Sequence, residues 1–314
     1  MRHLLRLACL LLVATLYAQD VQSGAPIETL KLNARVVLVP VAVHTAEGRF
    51  VHALTKEDFI LREDGKKQSL PYLLQNASLP LTLILMVDTS GSQTRLVPDE
   101  IAASKLFFDT MLERPEDRAS LVRFNNSNTV RLQEMTHSVS DLQRALGYLE
   151  HDPYPADGSG GTRMFDAICA AAQVVAGKEP GRRAIVMLTD GEDYGSRFTL
   201  KNAVEEAQRA DVTIYSILYS EHWEAKHRSD DPLREPGDQV LAELSNSTGG
   251  RVFTVTTSTP LSSIYASIAE ELRLGYQLGY TPPPSKPGKF HHIEVDVREK
   301  HLSIQARKGY YTPQ

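Results

Sequence analysis

The chain has 314 residues, of which 42% are hydrophobic and 23% charged. Those proportions exclude a predominantly disordered polymer and describe a globular protein long enough for one main domain and a smaller companion. A formal net charge of -5 excludes the strongly basic face of a general nucleic-acid binder, so no nucleic-acid partner is expected.

The first segment, MRHLLRLACLLLVATLYAQD, sets Arg2 and Arg6 before an apolar run from Leu7 to Leu16, followed by the small residue Ala18. This is the layout of a secretory signal peptide over residues 1–18, and it predicts a secreted or periplasmic protein whose mature chain begins near Gln19. The apolar run is shorter than the ~20 residues that span a bilayer, so no stable membrane span is expected once the signal is removed. Cys9 lies within the run rather than at its end, unlike the cysteine of a lipoprotein. Cleavage leaves Cys169 as the remaining cysteine, which rules out an intrachain disulfide in the mature chain. Its setting, FDAICAAAQVV, predicts a buried and inert thiol on an apolar helix.

Residues 31–78 read as a small β module. Val37, Val39, Val41 and Val43 alternate with other residues at the period of a strand, and AEGR and DGKK mark turns. From Pro80 the pattern changes. Apolar runs at 81–87, 119–124, 128–132, 184–189, 212–218 and 251–255 alternate with helical stretches, notably Asp99 to Leu112, Ser140 to Leu149, Arg163 to Val175, Leu200 to Arg209, Gln239 to Ser247 and Leu261 to Leu274. The alternation predicts an α/β domain over residues 80–275, with a doubly wound, mostly parallel six-stranded sheet and helices on both faces. NNSN at 125–128 joins two strands without a helix, so one edge strand should be antiparallel. Residues 276–314 return to β character, with Ile293, Val295 and Val297 alternating, and are expected to rejoin the N-terminal β module.

Three loops of the α/β segment carry oxygen donors. The first strand runs into Asp88-Thr89-Ser90-Gly91-Ser92, ADGSGGTRMFD places Thr162 before a helix, and LTDGED places Asp190 directly after an apolar strand. In open α/β sheets, ligands bind outside the carboxyl ends of the strands, where such loops emerge. A donor set of hydroxyls and few carboxylates suits Mg²⁺, with Mn²⁺ or Ca²⁺ able to substitute, and disfavours Zn²⁺ because neither Cys nor His contributes.

DTSGS after a buried strand, GGTRMFDA before a helix and LTDGED after a later strand together resemble the metal-ion-dependent adhesion site of von Willebrand factor A domains, over about residues 80 to 275. The resemblance implies that Ser90, Ser92 and Thr162 ligate the metal directly while Asp88 and Asp190 act through bound water. It further implies a partner protein that presents an Asp or Glu carboxylate to the ion. The flanks YLLQNASLPLTLILMVDTSGS, GYQLGYTPPP and ARKGYYTP, with GRFVHALTKEDFILREDGKKQ, resemble bacterial exported proteins called VWFA-related, known mainly from acidobacteria.

Other residues admit two readings. Glu192 and Asp193 bind a second ion or form a solvated acidic loop; Asp166 supports the site or caps its helix; the charged segment 220–238, with Trp223 beside His222, is a recognition loop or a surface insertion. No G-x-S-x-G elbow accompanies Ser90, and GSGGT lacks the Lys of a phosphate-binding loop, so no enzyme is expected. A metal-assisted hydrolase and a structural envelope protein with a stabilising metal are the competing functions.

Overall fold

The protein is described by a computed structural model that covers residues 36–75, 79–93, 95–125, 129–151, 162–176, 181–219 and 236–313. The signal segment, the turn at 126–128, the loop leading to Thr162 and the segment 220–235 lie outside the described residues.

The α/β domain is organised by the alternation of its central strand. β5 (Leu81–Asp88) is buried at every position, as a strand covered on both faces must be. Leu81, Leu83, Leu85 and Val87 point to one face, where they meet Ile101 and Phe108 of α1 (Val97–Met111), Leu142 of α2 (Val139–Leu146) and Ile268 of α6 (Leu261–Leu274). Ile84 and Met86 point to the other, against Ile168 of α3 (Met164–Val175), Ala203 of α4 (Leu200–Arg209) and Leu241 of α5 (Gly237–Thr248). One apolar strand thus nucleates two cores, each of its fully buried large side chains contributing roughly 1.5–3 kcal/mol.

Parallel neighbours of β5 are β6 (Arg118–Phe124) on one side and β8 (Arg182–Thr189) on the other. Beyond β8 lie β9 (Val212–Leu218) and β10 (Val252–Thr254), and beyond β6 lies β7 (Thr129–Thr136), giving the order β10-β9-β8-β5-β6-β7. The sheet has six strands, as expected, and β7 is the antiparallel edge. The chain leaves β5 toward β6 and later builds outward from β8 on the opposite side. The carboxyl end of β5 is therefore the switch point of the sheet, where the two halves part and a crevice forms.

The flanks form two antiparallel four-stranded sheets around a third core. β1 (Val37–His44) pairs with β11 (Tyr276–Tyr280) and β13 (Ser303–Ala306), and β11 also pairs with β4 (Tyr72–Gln75). The second sheet joins β2 (Phe59–Glu63) to β12 (Phe290–Val297), with β3 (Lys66–Lys67) and β14 (Gly309–Tyr311) at its edges. Asp64 and Gly65 both take positive φ, 49° and 77°, which lets a two-residue turn connect β2 to β3. Val39, Val43, Leu61, Tyr276 and Leu278 fill the shared interior. No helix among the described residues is long and apolar enough to cross a membrane.

Candidate metal centre

Asp88 ends β5, which is buried at every position, and is itself fully buried. Its Oδ1 accepts the N–H of Ser90 at 2.9 Å, closing the turn after the strand, and its Oδ2 accepts the hydroxyl of Thr189 at 2.7 Å from the end of β8. Ser90 Oγ lies 3.2 Å from Ser92 Oγ, and Ser92 donates to Asp190 Oδ2 at 2.8 Å. The other oxygen of Asp190 accepts the N–H of Glu192 at 3.1 Å. Asp88, Ser90, Ser92 and Asp190 thus form one hydrogen-bonded chain across the switch point.

Thr162 is buried beside this chain and joins it through the backbone, because its carbonyl accepts the N–H of Tyr194 at 2.7 Å from the Asp190 loop. Among the described residues its side chain makes no hydrogen bond to the other four. The loops also lean on β6: Thr89 donates to the Phe124 carbonyl at 2.9 Å and Arg163 to that of Asn125 at 3.3 Å. Gly191 has φ +80°, and a Cβ there would sit 2.5 Å from the carbonyl oxygen of Gly237, at the start of α5. The turn that presents Asp190 therefore requires glycine.

Two of the neighbouring acids, Asp193 and Asp166, accept hydrogen bonds that fix the surrounding loops. Asp193 Oδ1 accepts the N–H of Phe165 at 3.0 Å and the hydroxyl of Ser196 at 2.6 Å, fastening the Asp190 loop to the first turn of α3. Asp166 Oδ1 accepts the N–H groups of Arg197 and Phe198 at 2.8 and 3.0 Å, so it organises the following loop rather than capping its own helix. Cys169 is buried, and burial followed by the charges of Glu206 and Asp166 pushes its thiol up to about 12, the inert state expected.

The electrostatics of the site favour a cation. Burial, and then repulsion from Asp190, push Asp88 up to about 7 despite the hydrogen bonds it accepts. Glu100, in the first turn of α1, is also fully buried; burial, then Asp88, then Asp99 hold it well above the usual carboxylate range. Both carboxyl oxygens of Glu100 and the Oε1 of buried Gln93 lack hydrogen-bond partners among the described residues. Sequence reasoning did not single out these two residues, although a Glu within an otherwise apolar helix face was the available signal. Converging hydroxyls and mutually repelling carboxylates fit a hard divalent ion such as Mg²⁺, which would relieve the repulsion and accept oxygen ligands. A second cluster joins Glu63, Asp64 and His291 in the β module, with His291 Nδ1 at 2.9 Å from both carboxylates. Lys289 Nζ lies 3.7 Å from Asp64 and already supplies a cation there, and the cluster reads as a structural ion network tying β2 to β12.

An open α/β sheet with oxygen-rich loops at its switch point defines a class of ligand-binding domains. The profile of the von Willebrand factor type A domain matches residues 82–267, and the chain belongs to that family. Its fold is similar to several solved structures. An aerotolerance-related membrane protein from Bacteroides fragilis is 17% identical, with 61% of this chain and 98% of that one covered at a TM-score of 0.44. The vWF domain of the type V pili tip protein Mfa5 from Porphyromonas gingivalis is 16% identical, with 61% and 94% covered at 0.43. A von Willebrand factor type A protein from Catenulispora acidiphila is 10% identical, with 90% and 76% covered at 0.47. No curated protein matches the chain.

Proposed function

We propose that the protein is an exported, non-enzymatic binding module that captures a carboxylate of a partner protein through a Mg²⁺ ion. Ser90, Ser92 and Thr162 would hold the ion directly, and Asp88 and Asp190 would act through bound water. The observation that carries the reading is the hydrogen-bonded chain from Asp88 through Ser90 and Ser92 to Asp190, which gathers hydroxyls and carboxylates from separate loops at one sheet edge. When bound, the ion supplies an electrophile to which an Asp or Glu side chain of the partner can add as a ligand. The protein's part is to fix the hydroxyls, to keep its own carboxylates one shell back and so to leave the ion underneutralised. Membership of the family supports a role in protein interaction.

The same reading divides the chain into a signal peptide over 1–18, a β module over 31–78 completed by 276–314, and the binding domain over 80–275. Pairing of β2 with β12 and of β1 with β11 supports it. Calorimetric titration of Mg²⁺ into wild type and Asp190→Ala, followed by partner capture with each protein in Mg²⁺ and in EDTA, tests the function. The expected result is metal binding and capture by wild type alone; capture indifferent to EDTA, or turnover of a phosphoester that requires the metal, overturns it. Mass spectrometry of protein from its native host should find an N-terminus near Gln19, and an intact Met1 would remove the export assignment.

A further inference from the structure

At the opposite end of the central sheet, where β8 begins, Arg182 is 7% exposed, and none of its three guanidinium nitrogens has a hydrogen-bond partner among the described residues. It lines a cavity of about 150 Å³ between the base of the α/β sheet and the β module, bounded by Pro40 and Ala42 of β1, Gln277 of β11, and Tyr215, Glu271 and Leu272 of the α/β domain. The acidic groups around this cavity are already matched. Asp211 is paired with both Arg307 and Arg183, the latter at 3.7 Å. Glu271 is held by Arg251 at 2.6 Å and His44 Nε2 at 3.1 Å. Asp117, under the same end of the sheet, pairs with Arg273 at 2.7 Å.

Positive charge therefore exceeds negative at this end of the sheet, and the surplus falls on Arg182. A buried guanidinium without partners is costly, and it stays charged at any ordinary pH. Burial and the neighbouring Arg273 push Arg182 down only to about 10, still far above neutrality. The planar fork of its N–H donors matches an oxyanion in two-point contact. We infer that this cavity is a binding site for a small oxyanion, of which inorganic phosphate is the representative, seated on Arg182 between the α/β domain and the β module. The anion would complete the ion network at the seam and bridge two parts of the protein that the chain connects on both sides of the α/β segment.

The test is thermal unfolding of the full chain in EDTA, at constant ionic strength, with chloride replaced stepwise by phosphate. Wild type should gain roughly 5–10 °C in Tm once phosphate reaches about a hundred times its dissociation constant. Arg182→Met, which fills similar space without charge, should show no such gain and should be no less stable than wild type in the absence of phosphate. Phosphate also stabilises proteins generally by exclusion from their surface, so the difference between the two proteins is the signal. Equal rises in both proteins would reduce the cavity to a water-filled one and overturn the proposal. Should Arg182→Met fail to fold, titration calorimetry of phosphate into metal-free wild type decides: one site per chain supports the assignment, and no saturable heat overturns it.

Discussion

Replacement of Asp190 by Asn separates the electrostatic cost of the candidate metal centre from its ability to hold an ion. The rise of Asp88 from 3.8 to about 7 corresponds to roughly 4 kcal/mol against its ionised form. Burial is the larger cause and repulsion from Asp190 the next. A carboxyl raised in the folded state contributes stability that is complete below its unfolded value of 3.8 and is lost as pH rises through about 7. Metal-free wild type should therefore weaken between these values, and Asp190→Asn should weaken less, ending about 2–4 °C higher in Tm per kcal/mol above neutrality. The amide oxygen can still accept the Ser92 hydroxyl, so the chain to Ser92 survives, while the N–H of Glu192 loses its acceptor because an amide has one acceptor atom where the carboxylate has two. With Mg²⁺ the order should reverse, because wild type gains stability by binding the ion and the variant gains far less. Calorimetric scans of both proteins in EDTA and in Mg²⁺ check this. A variant less stable than wild type in EDTA, or equal gains with Mg²⁺, would refute the claim that paired carboxylates hold the site in readiness for a cation.

Two further substitutions probe the scaffold. In Gly250→Ala the new Cβ would fall 1.9 Å from the Ile214 carbonyl oxygen, where the turn after α5 crosses β9; a loss of about 2 kcal/mol or more is expected in urea unfolding, and a change below 0.5 kcal/mol would contradict that close approach. Asp117 accepts the N–H groups of Leu81 and Arg114 and the guanidinium of Arg273; burial opposes its charge, yet these bonds hold it below the ordinary value. Its stabilisation should be present above the unfolded value near 3.8 and disappear as pH falls through its lowered folded value. Asp117→Asn should cost about 3 kcal/mol at neutral pH and flatten the acid limb of the stability curve, whereas an unchanged acid limb would assign that limb to other groups.

Much of the architecture was legible because burial leaves a simple record in residue type. A parallel strand covered on both faces needs an unbroken apolar run, and LTLILMV and AIVMLT are such runs. The antiparallel edge was legible from a connection too short for a crossover helix. The flanks were harder to read: alternation of Val37 through Val43 announced a strand with one buried face, but not that the module would divide into two sheets. That division depends on which partner each strand takes. The turn at Asp64 and Gly65 fixes the short hairpin of β2 and β3, while β1 and β2 find β11 and β12 from more than two hundred residues away. Periodicity carries no information about pairing across such distances.

The candidate site divides along the same line. Asp88, Ser90, Ser92 and Asp190 stand next to the ends of apolar strands, so the edge they share follows from strand direction alone. The work of Asp166 and Asp193 did not, because each accepts backbone N–H groups roughly thirty residues away, across a connection whose path local sequence cannot specify. Glu100 is the most informative omission. Its helix buries Val97, Ile101, Ser104, Phe107 and Phe108, and a carboxyl on that face would normally be replaced by an apolar side chain at little cost to packing. Its full burial, with no hydrogen-bond partner among the described residues and with Asp88 as its strongest charged neighbour, is hard to account for by packing. A positive charge at the neighbouring loop would offset the repulsion from Asp88 that adds to burial in disfavouring the ionised form of Glu100. The electrostatic preference for a cation thus extends from the loops into the helix behind them, through a residue that no loop motif contains.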